Sequence, residues 1–144
     1  MTRDYAGDVS PDEAMALLKS NKDAVLVDVR TQAEWTFVGV PDLSGLDKAP
    51  ILVEWQSYPT MAPNPNFLPT LSAELYSRNV PVDAPVLFLC RSGARSRAAA
   101  MALTGEGRTN CLNIAGGFEG GPDMSRHRGS IEGWKARNLP WTQH

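Results

Sequence analysis

The fold of this chain is decided by VLFLCRSGARSRAAAMALTG, which occupies residues 86–105. Residues 86–89 form an uninterrupted apolar run that ends at Cys90, and such a run is typical of a strand buried on both faces. A helix is predicted over residues 96–103, because its small alanine side chains allow close packing on a sheet and Gly105 ends it. A buried strand followed at once by a helix is typical of a parallel α/β sheet.

The same alternation of strand and helix extends to both sides of this segment. Further strands are predicted at residues 24–29, 51–55 and 111–114. Two helices begin at capping boxes, in which a Ser or Thr is followed three residues later by Glu. These boxes are Ser10 with Glu13 and Thr31 with Glu34. The pattern predicts an α/β domain whose parallel sheet is covered on both faces.

Between these elements the sequence predicts one more helix and one irregular connection. Leu68, Leu71 and Leu75 have helical spacing, and the helix that they mark ends near Asn79. The proline-rich stretch over residues 58–65 is predicted to be an ordered loop without regular structure.

Composition limits the class of protein. The chain has 144 residues, 42% of them hydrophobic and 21% charged, as expected for one globular domain over residues 1–144. A net charge of −2 argues against a nucleic-acid partner, and no apolar run is long enough to cross a bilayer, so we expect no membrane partner. Two cysteines cannot form a disulfide framework, and no signal segment opens the chain. We therefore expect a cytoplasmic protein.

The loop between the central strand and its helix carries the chemistry. Ligands of open parallel sheets bind beyond the carboxyl ends of the strands, and a tight loop there can turn its N–H groups inward as an anion site. Gly93 allows the loop to fold back, and Arg91, Arg95 and Arg97 add positive charge. In such surroundings the Cys90 thiolate, which is the nucleophilic form, is favoured over the thiol. A core cysteine beside a solvated arginine face explains these residues less completely.

Several motifs of the chain resemble those of the rhodanese family of sulfurtransferases. Residues 90–96, CRSGARS, resemble its active-site loop, Cys-Arg-x-Gly-x-Arg-Ser. Residues 28–30 resemble its Asp-Val-Arg, and residues 113–118 resemble its strand leading to a Gly-Gly turn. The similarity spans about residues 9–141. It implies a rhodanese-like fold, a five-stranded parallel sheet with helices on both faces.

The chain departs from the family pattern mainly by insertion. Additional residues are predicted at about 41–65 and at about 119–131, where they would either frame the active-site mouth or decorate the surface. Glu34 and Trp35 resemble the family's Glu-aromatic pair, but the Gly-His pair that usually follows it is absent, because Gly39 is followed by Val40 and Pro41.

The resemblance implies sulfur transfer without a cofactor. Cys90 would attack the outer sulfur of an anionic donor such as thiosulfate, hold it as a persulfide and pass it to a thiol, cyanide or protein acceptor. The rest of the loop would bind the donor, with Arg91, Ser92, Gly93, Ala94, Arg95 and Ser96 as its substrate-binding residues. The oligomeric state remains open.

Two other functions compete with this one. A cysteine-dependent phosphatase or arsenate reductase needs arginine six positions after the cysteine, and Ser96 stands there. A non-catalytic binding or regulatory module of the same fold is the second alternative, which the presence of Cys90 disfavours without excluding it.

The remaining polar candidates have structural interpretations. Asp28 and Arg30 are predicted to form a supporting buried ion pair. Cys111 is predicted to lie in the core, too far along the sheet from Cys90 for a disulfide. His127 and His144 have no spacing with the cysteines that indicates a metal site, so none is expected. Trp55, Trp134 and Trp141 are predicted to be packing residues.

Overall fold

The computed structural model describes residues 4–57 and 60–143. In chain order its strands are β1 (Gly7–Val9), β2 (Val25–Asp28), β3 (Val40–Pro41), β4 (Ile51–Leu52), β5 (Gln56–Ser57), β6 (Ala62–Pro63), β7 (Val86–Leu89), β8 (Cys111–Ile114) and β9 (Trp141–Thr142). Five of them form one sheet in the order β1, β8, β7, β2, β4, and every neighbouring pair is parallel. The predicted fold is confirmed. The short edge strand β1, which has no apolar run, was not predicted from the pattern.

Within the described residues, four α-helices connect these strands. They are α1 (Pro11–Ser20), α2 (Gln32–Phe37), α3 (Phe67–Ser77) and α4 (Ala94–Gly105), with a short 3₁₀ turn at Ser44–Leu46. Both capping boxes are present: the Ser10 hydroxyl accepts the Glu13 N–H, and the Thr31 hydroxyl accepts the Glu34 N–H. Helix α4 begins two residues earlier than predicted and includes Gly105 as its last residue. The early start follows from Gly93, whose positive φ turns the chain directly into the helix.

The helices cover the sheet on both faces, so that two apolar cores are formed. On one face α3 and α4 pack against the sheet, with Leu71, Leu75, Phe88 and Ala99 fully buried. On the other face α1 packs together with the segment that follows β8. This second core contains Ala14, Leu18, Leu26, Leu87, Leu89, Ile114, Phe118 and Trp134. Burial on both faces explains why the central strands are continuous apolar runs.

Strand register confirms that the two cysteines lie at opposite ends of the sheet. Val86 at the start of β7 pairs with Cys111 at the start of β8, whereas Cys90 follows the end of β7. Both cysteines are free.

The region predicted as the first insertion, about 41–65, is partly regular structure. It contains β4, which is shorter than predicted, and the antiparallel pair β5 and β6. The expectation of an irregular loop over residues 58–65 is therefore wrong in part, because Met61, with φ of +57°, closes a turn that pairs Ala62 with Ser57. Tyr58 and Pro59 lie outside the described residues, as does His144.

Tryptophan packing differs among the three predicted sites. Trp134 is fully buried, and Trp55 meets Phe67 edge-on at 4.9 Å. Trp141 packs less completely, because it is 42% exposed and has its ring edge-on to Phe118.

In the described ranges, no helix combines the length and the apolar character that a bilayer crossing requires.

Candidate active site

Cys90 lies directly after the central strand β7, at the floor of the loop that leads into α4. Only 1% of the residue is exposed. Its Sγ accepts the N–H of Gly93 at 3.0 Å. Gly93 has φ of +124°, a backbone conformation that other residues rarely adopt, and a side chain there would find space, with its nearest neighbour 3.9 Å away. Backbone conformation, not crowding, therefore requires glycine at this position.

The N-terminus of α4 is open at the same loop. No side chain of the described chain caps it. The first N–H with a backbone acceptor is that of Arg97, which donates to Gly93 O at 3.1 Å, so the N–H groups of Ala94, Arg95 and Ser96 have no partner within the helix. Free N–H groups and the positive end of the helix dipole make this loop suited to bind an anion beside Cys90.

Ser96 touches the cysteine sulfur from within the helix. It is fully buried, and its Oγ lies 3.2 Å from Cys90 Sγ and 3.1 Å from Gly93 O. The same Oγ is 2.5 Å from Oδ1 of Asn113, a buried residue of β8. Asn113 was not singled out by sequence reasoning. The available signal was a polar residue in the middle of an otherwise apolar strand.

The arginines of the loop have different surroundings. Arg95 donates from both terminal nitrogens to the Glu34 carboxylate, at 2.8 and 3.0 Å. Burial disfavours ionisation of Glu34, but the Arg95 hydrogen bonds and charge outweigh it and hold the pKa of the carboxyl below its usual value. Arg91 and Arg97 are exposed. Glu34 is thus a residue of the site that sequence reasoning recognised only as a helix cap and family motif.

Beneath the loop lies the predicted ion pair of Asp28 and Arg30, which is present and fully buried. Arg30 Nη2 is 2.7 Å from Asp28 Oδ2 and also donates to Gly39 O. The guanidinium lies over the Phe118 ring, 4.3 Å from its centroid. Phe118 in turn donates its N–H to Cys90 O at 2.8 Å. The ion pair therefore supports the cysteine loop through Phe118 and makes no hydrogen bond to Cys90 Sγ, Gly93 or Ser96.

The segment after β8 holds the loop from behind. Arg91 O accepts the N–H groups of Glu119 and Gly120 at 3.0 and 3.1 Å. Gly117, with φ of +64°, approaches so closely that a Cβ would collide with the carbonyls of Cys90 and Arg91. The predicted second insertion, about 119–131, therefore begins in direct contact with the cysteine loop.

Comparison with known proteins identifies the family. The chain matches the family described as "Rhodanese-like domain" over residues 10–137. It is 40% identical over 129 residues to the uncharacterized protein RC0915 of Rickettsia conorii, covering 90% of this chain and 91% of that protein. It is 30% identical over 111 residues to the thiosulfate sulfurtransferase GlpE of Pseudomonas entomophila, covering 77% and 80% of the two chains.

A solved structure gives the same result. The crystal structure of Rv0390 from M. tuberculosis superposes with a TM-score of 0.86 at 48% identity, covering 97% of this chain and 99% of that one. The chain belongs to the rhodanese-like family.

Proposed function

We propose that this protein is a sulfurtransferase that carries a sulfane sulfur on Cys90. The observation that supports this most directly is the position of Sγ, which accepts the Gly93 N–H beside an uncapped helix N-terminus. A thiolate and an anionic donor are both stabilised by such N–H groups. The similarity to the thiosulfate sulfurtransferase of P. entomophila supports the same chemistry.

The proposed reaction has two displacement steps. The Cys90 thiolate attacks the outer sulfur of thiosulfate, so that a Cys90 S–S bond forms while the donor's own S–S bond breaks and sulfite leaves with the electron pair. An acceptor nucleophile, cyanide or a thiolate, then attacks the outer sulfur of the persulfide, and the Cys90 thiolate leaves. No cofactor enters either step. We expect this chemistry in the cytoplasm.

Donor binding is assigned to the loop that surrounds Sγ. The free N–H groups of Ser92, Ala94, Arg95 and Ser96 would contact the anionic end of the donor. Among the loop arginines, exposed Arg91 is the one we assign to attract the donor, whereas Arg95 acts mainly through its ion pair with Glu34.

A phosphatase or arsenate reductase fits the same loop less well. The position where that chemistry needs an arginine is held by Ser96, whose Oγ lies 3.2 Å from the sulfur and 2.5 Å from Asn113 Oδ1. The neighbouring guanidinium of Arg95 is occupied by a carboxylate. We therefore expect turnover of p-nitrophenyl phosphate to be negligible beside turnover of thiosulfate.

The test is mass spectrometry of the intact protein after incubation with thiosulfate. We expect the mass of one sulfur atom on Cys90, removed again by cyanide. Cys90→Ser should lose the adduct, and Cys111→Ser is the matched control that should keep it. An adduct on Cys111, or on neither cysteine, would contradict the proposal and favour the non-catalytic binding module.

A further inference from the structure

A chain of hydrogen bonds, buried at the sulfur and partly buried at its outer end, connects Cys90 with an acidic residue on the edge strand. Cys90 Sγ contacts Ser96 Oγ, Ser96 Oγ contacts Asn113 Oδ1, and Asn113 Nδ2 donates to Asp8 Oδ1 at 2.9 Å. Asp8 and Asn113 are direct partners in the register of β1 and β8, so their side chains lie on the same face of the sheet. Nothing in the proposed reaction uses Asp8 or Asn113.

The orientation of the Asn113 amide is set by Asp8. An ionised carboxylate only accepts hydrogen bonds, so the Asn113 NH₂ group must face it. The amide oxygen is then turned toward Ser96. The reverse orientation would place the amide oxygen against the carboxylate oxygen, with no proton between them.

This orientation also decides where the single proton of Ser96 lies. Asn113 Oδ1 carries no proton, and two oxygens 2.5 Å apart without a proton between them repel each other. Of the three acceptors around Ser96 Oγ, Asn113 Oδ1 at 2.5 Å is much nearer than Gly93 O at 3.1 Å or Cys90 Sγ at 3.2 Å, so the hydroxyl donates to Asn113. Cys90 Sγ then faces an oxygen lone pair of Ser96 and accepts a hydrogen bond from the Gly93 N–H alone.

We propose that Asn113 and Asp8 are positioning residues that keep the Ser96 proton away from Cys90, and so leave the sulfur less hydrogen-bonded and more nucleophilic. The proposal rests on the proposed function only in treating Cys90 as the nucleophile. A hydrogen bond donated to a thiolate stabilises it and lowers its reactivity, because nucleophilicity falls as the thiolate becomes a weaker base.

The experiment measures the rate of iodoacetamide labelling of Cys90 against pH, resolved by peptide mass. Asn113→Leu removes the amide oxygen at similar volume and without a change in charge. The Ser96 hydroxyl then has Gly93 O and the thiolate as its remaining acceptors, and the charged sulfur is the stronger of the two. We expect the midpoint of the rate profile to move down by about one pH unit and the plateau rate at high pH to fall about two- to threefold.

Asp8→Asn is the second variant; Asp8 is exposed, and its Oδ1 also accepts the Tyr5 hydroxyl, a contact that the Asn side-chain oxygen can still accept. It permits the Asn113 amide to turn, so the midpoint should also move down. Since loss of a nearby negative charge has the same direction of effect, both variants are repeated in a Ser96→Ala background. In that background position 96 has no hydroxyl proton to redirect. We therefore expect Asn113→Leu to leave the midpoint unchanged, and Asp8→Asn to move it only by the electrostatic effect of the lost charge.

The outcomes separate the two proposals. Equal shifts of the labelling midpoint with and without the Ser96 hydroxyl would overturn the positioning role of Asn113 and Asp8. An unchanged or higher midpoint in Asn113→Leu would also overturn it. If Asn113→Leu does not fold, the Asp8→Asn comparison decides alone. The labelling measurement needs no sulfur donor. If the midpoint depends on Asn113 and Asp8 through Ser96 but the protein takes up no sulfur, the proposed function is refuted and the positioning role of these residues stands.

Discussion

The two ends of the central sheet hold one cysteine each. Both cysteines are buried, but the groups around their sulfur atoms differ. Cys90 at the carboxyl end is 1% exposed and Cys111 at the amino end is fully buried. Cys90 Sγ meets an N–H and a hydroxyl, whereas Cys111 lies in the apolar core of α3 and α4, where burial raises the pKa of its thiol. Burial is therefore common to both cysteines, and the loop and helix N-terminus around Cys90 are what we expect to make it the more reactive one.

The contrast extends to backbone and charge. At the carboxyl end, Gly93 shapes the cysteine loop and Glu34 pairs with Arg95. At the amino end, Gly107 has a similar positive φ of +107° in open space, and an exposed pair joins Glu74 to Arg78. The glycine and the ion pair of the candidate site thus each have a counterpart remote from it, which serves as a matched control.

The largest expected difference is in the chemical reactivity of the two cysteines. In native protein at neutral pH we expect iodoacetamide to label Cys90 about 100-fold faster than Cys111, because Cys90 lies beside an N–H donor and a helix N-terminus, whereas burial raises the pKa of the Cys111 thiol. In denaturant the two rates should become similar. Peptide mass spectrometry against time gives both rates, and native labelling of Cys111 at the rate of Cys90 would contradict the comparison.

Gly93→Ala should reduce sulfur uptake strongly, because a side chain disfavours the φ of +124° that places the N–H on Sγ. We expect both Gly93→Ala and Gly107→Ala to cost about 1–2 kcal/mol of stability, since both positions have positive φ. Urea unfolding and adduct formation are measured on each variant. Equal loss of adduct in both would show that the effect is general destabilisation.

Breaking the ion pair at the site should affect stability and thiosulfate binding more than breaking the remote pair, but by less than the glycine substitution. Glu34→Gln leaves Arg95 with a neutral partner in surroundings that are only 17–20% exposed, so we expect a loss of about 1 kcal/mol and a higher KM for thiosulfate. Glu74→Gln breaks an exposed i,i+4 pair and should change neither quantity measurably. A KM change of the same size in both variants would mean that Glu34 has no special relation to the loop.

The smallest expected effect is on acid stability. Because the pKa of Glu34 is lowered in the folded protein, its stabilising contribution is complete above the ordinary glutamate value of about 4.3 and is lost as pH falls through the lower folded value. The free energy of unfolding should therefore fall less steeply below that pH in Glu34→Gln than in the unchanged protein. Denaturant titrations at several acidic pH values test this, and parallel slopes would contradict it.

Local signals allowed much of the fold to be predicted. Capping boxes at Ser10 and Thr31 and the apolar run of β7 depend on residues within a few positions of one another, and all appear in the structure. Strand β1 has only three residues, and it was missed because its place in the sheet is set by pairing with β8, more than 100 residues away. The family resemblance supplied a fifth strand without its position.

The candidate site divides in the same way. The cysteine, its glycine and the open helix terminus are consecutive in sequence, so their proximity was predictable. The partners of Arg95 and Ser96 were not, because Glu34 and Asn113 lie 61 and 17 positions away along the chain. Such side-chain pairs form only when the sheet order brings the elements together, and no periodicity encodes them.

The contacts made by the segment after β8 have a consequence for the free energy of donor binding. In a trans peptide the C=O and the following N–H point in opposite directions. Since Cys90 O is held by Phe118 N–H, and Arg91 O by the N–H groups of Glu119 and Gly120, the N–H groups of Arg91 and Ser92 are directed away from that segment before any anion arrives. Their orientation costs no conformational entropy at binding, because folding has already fixed it. The proposed anion site is thus preorganised by hydrogen bonds to the carbonyls on the opposite side of the same peptide planes. Weakening those hydrogen bonds should lower donor affinity without removing any group that we propose to touch the donor.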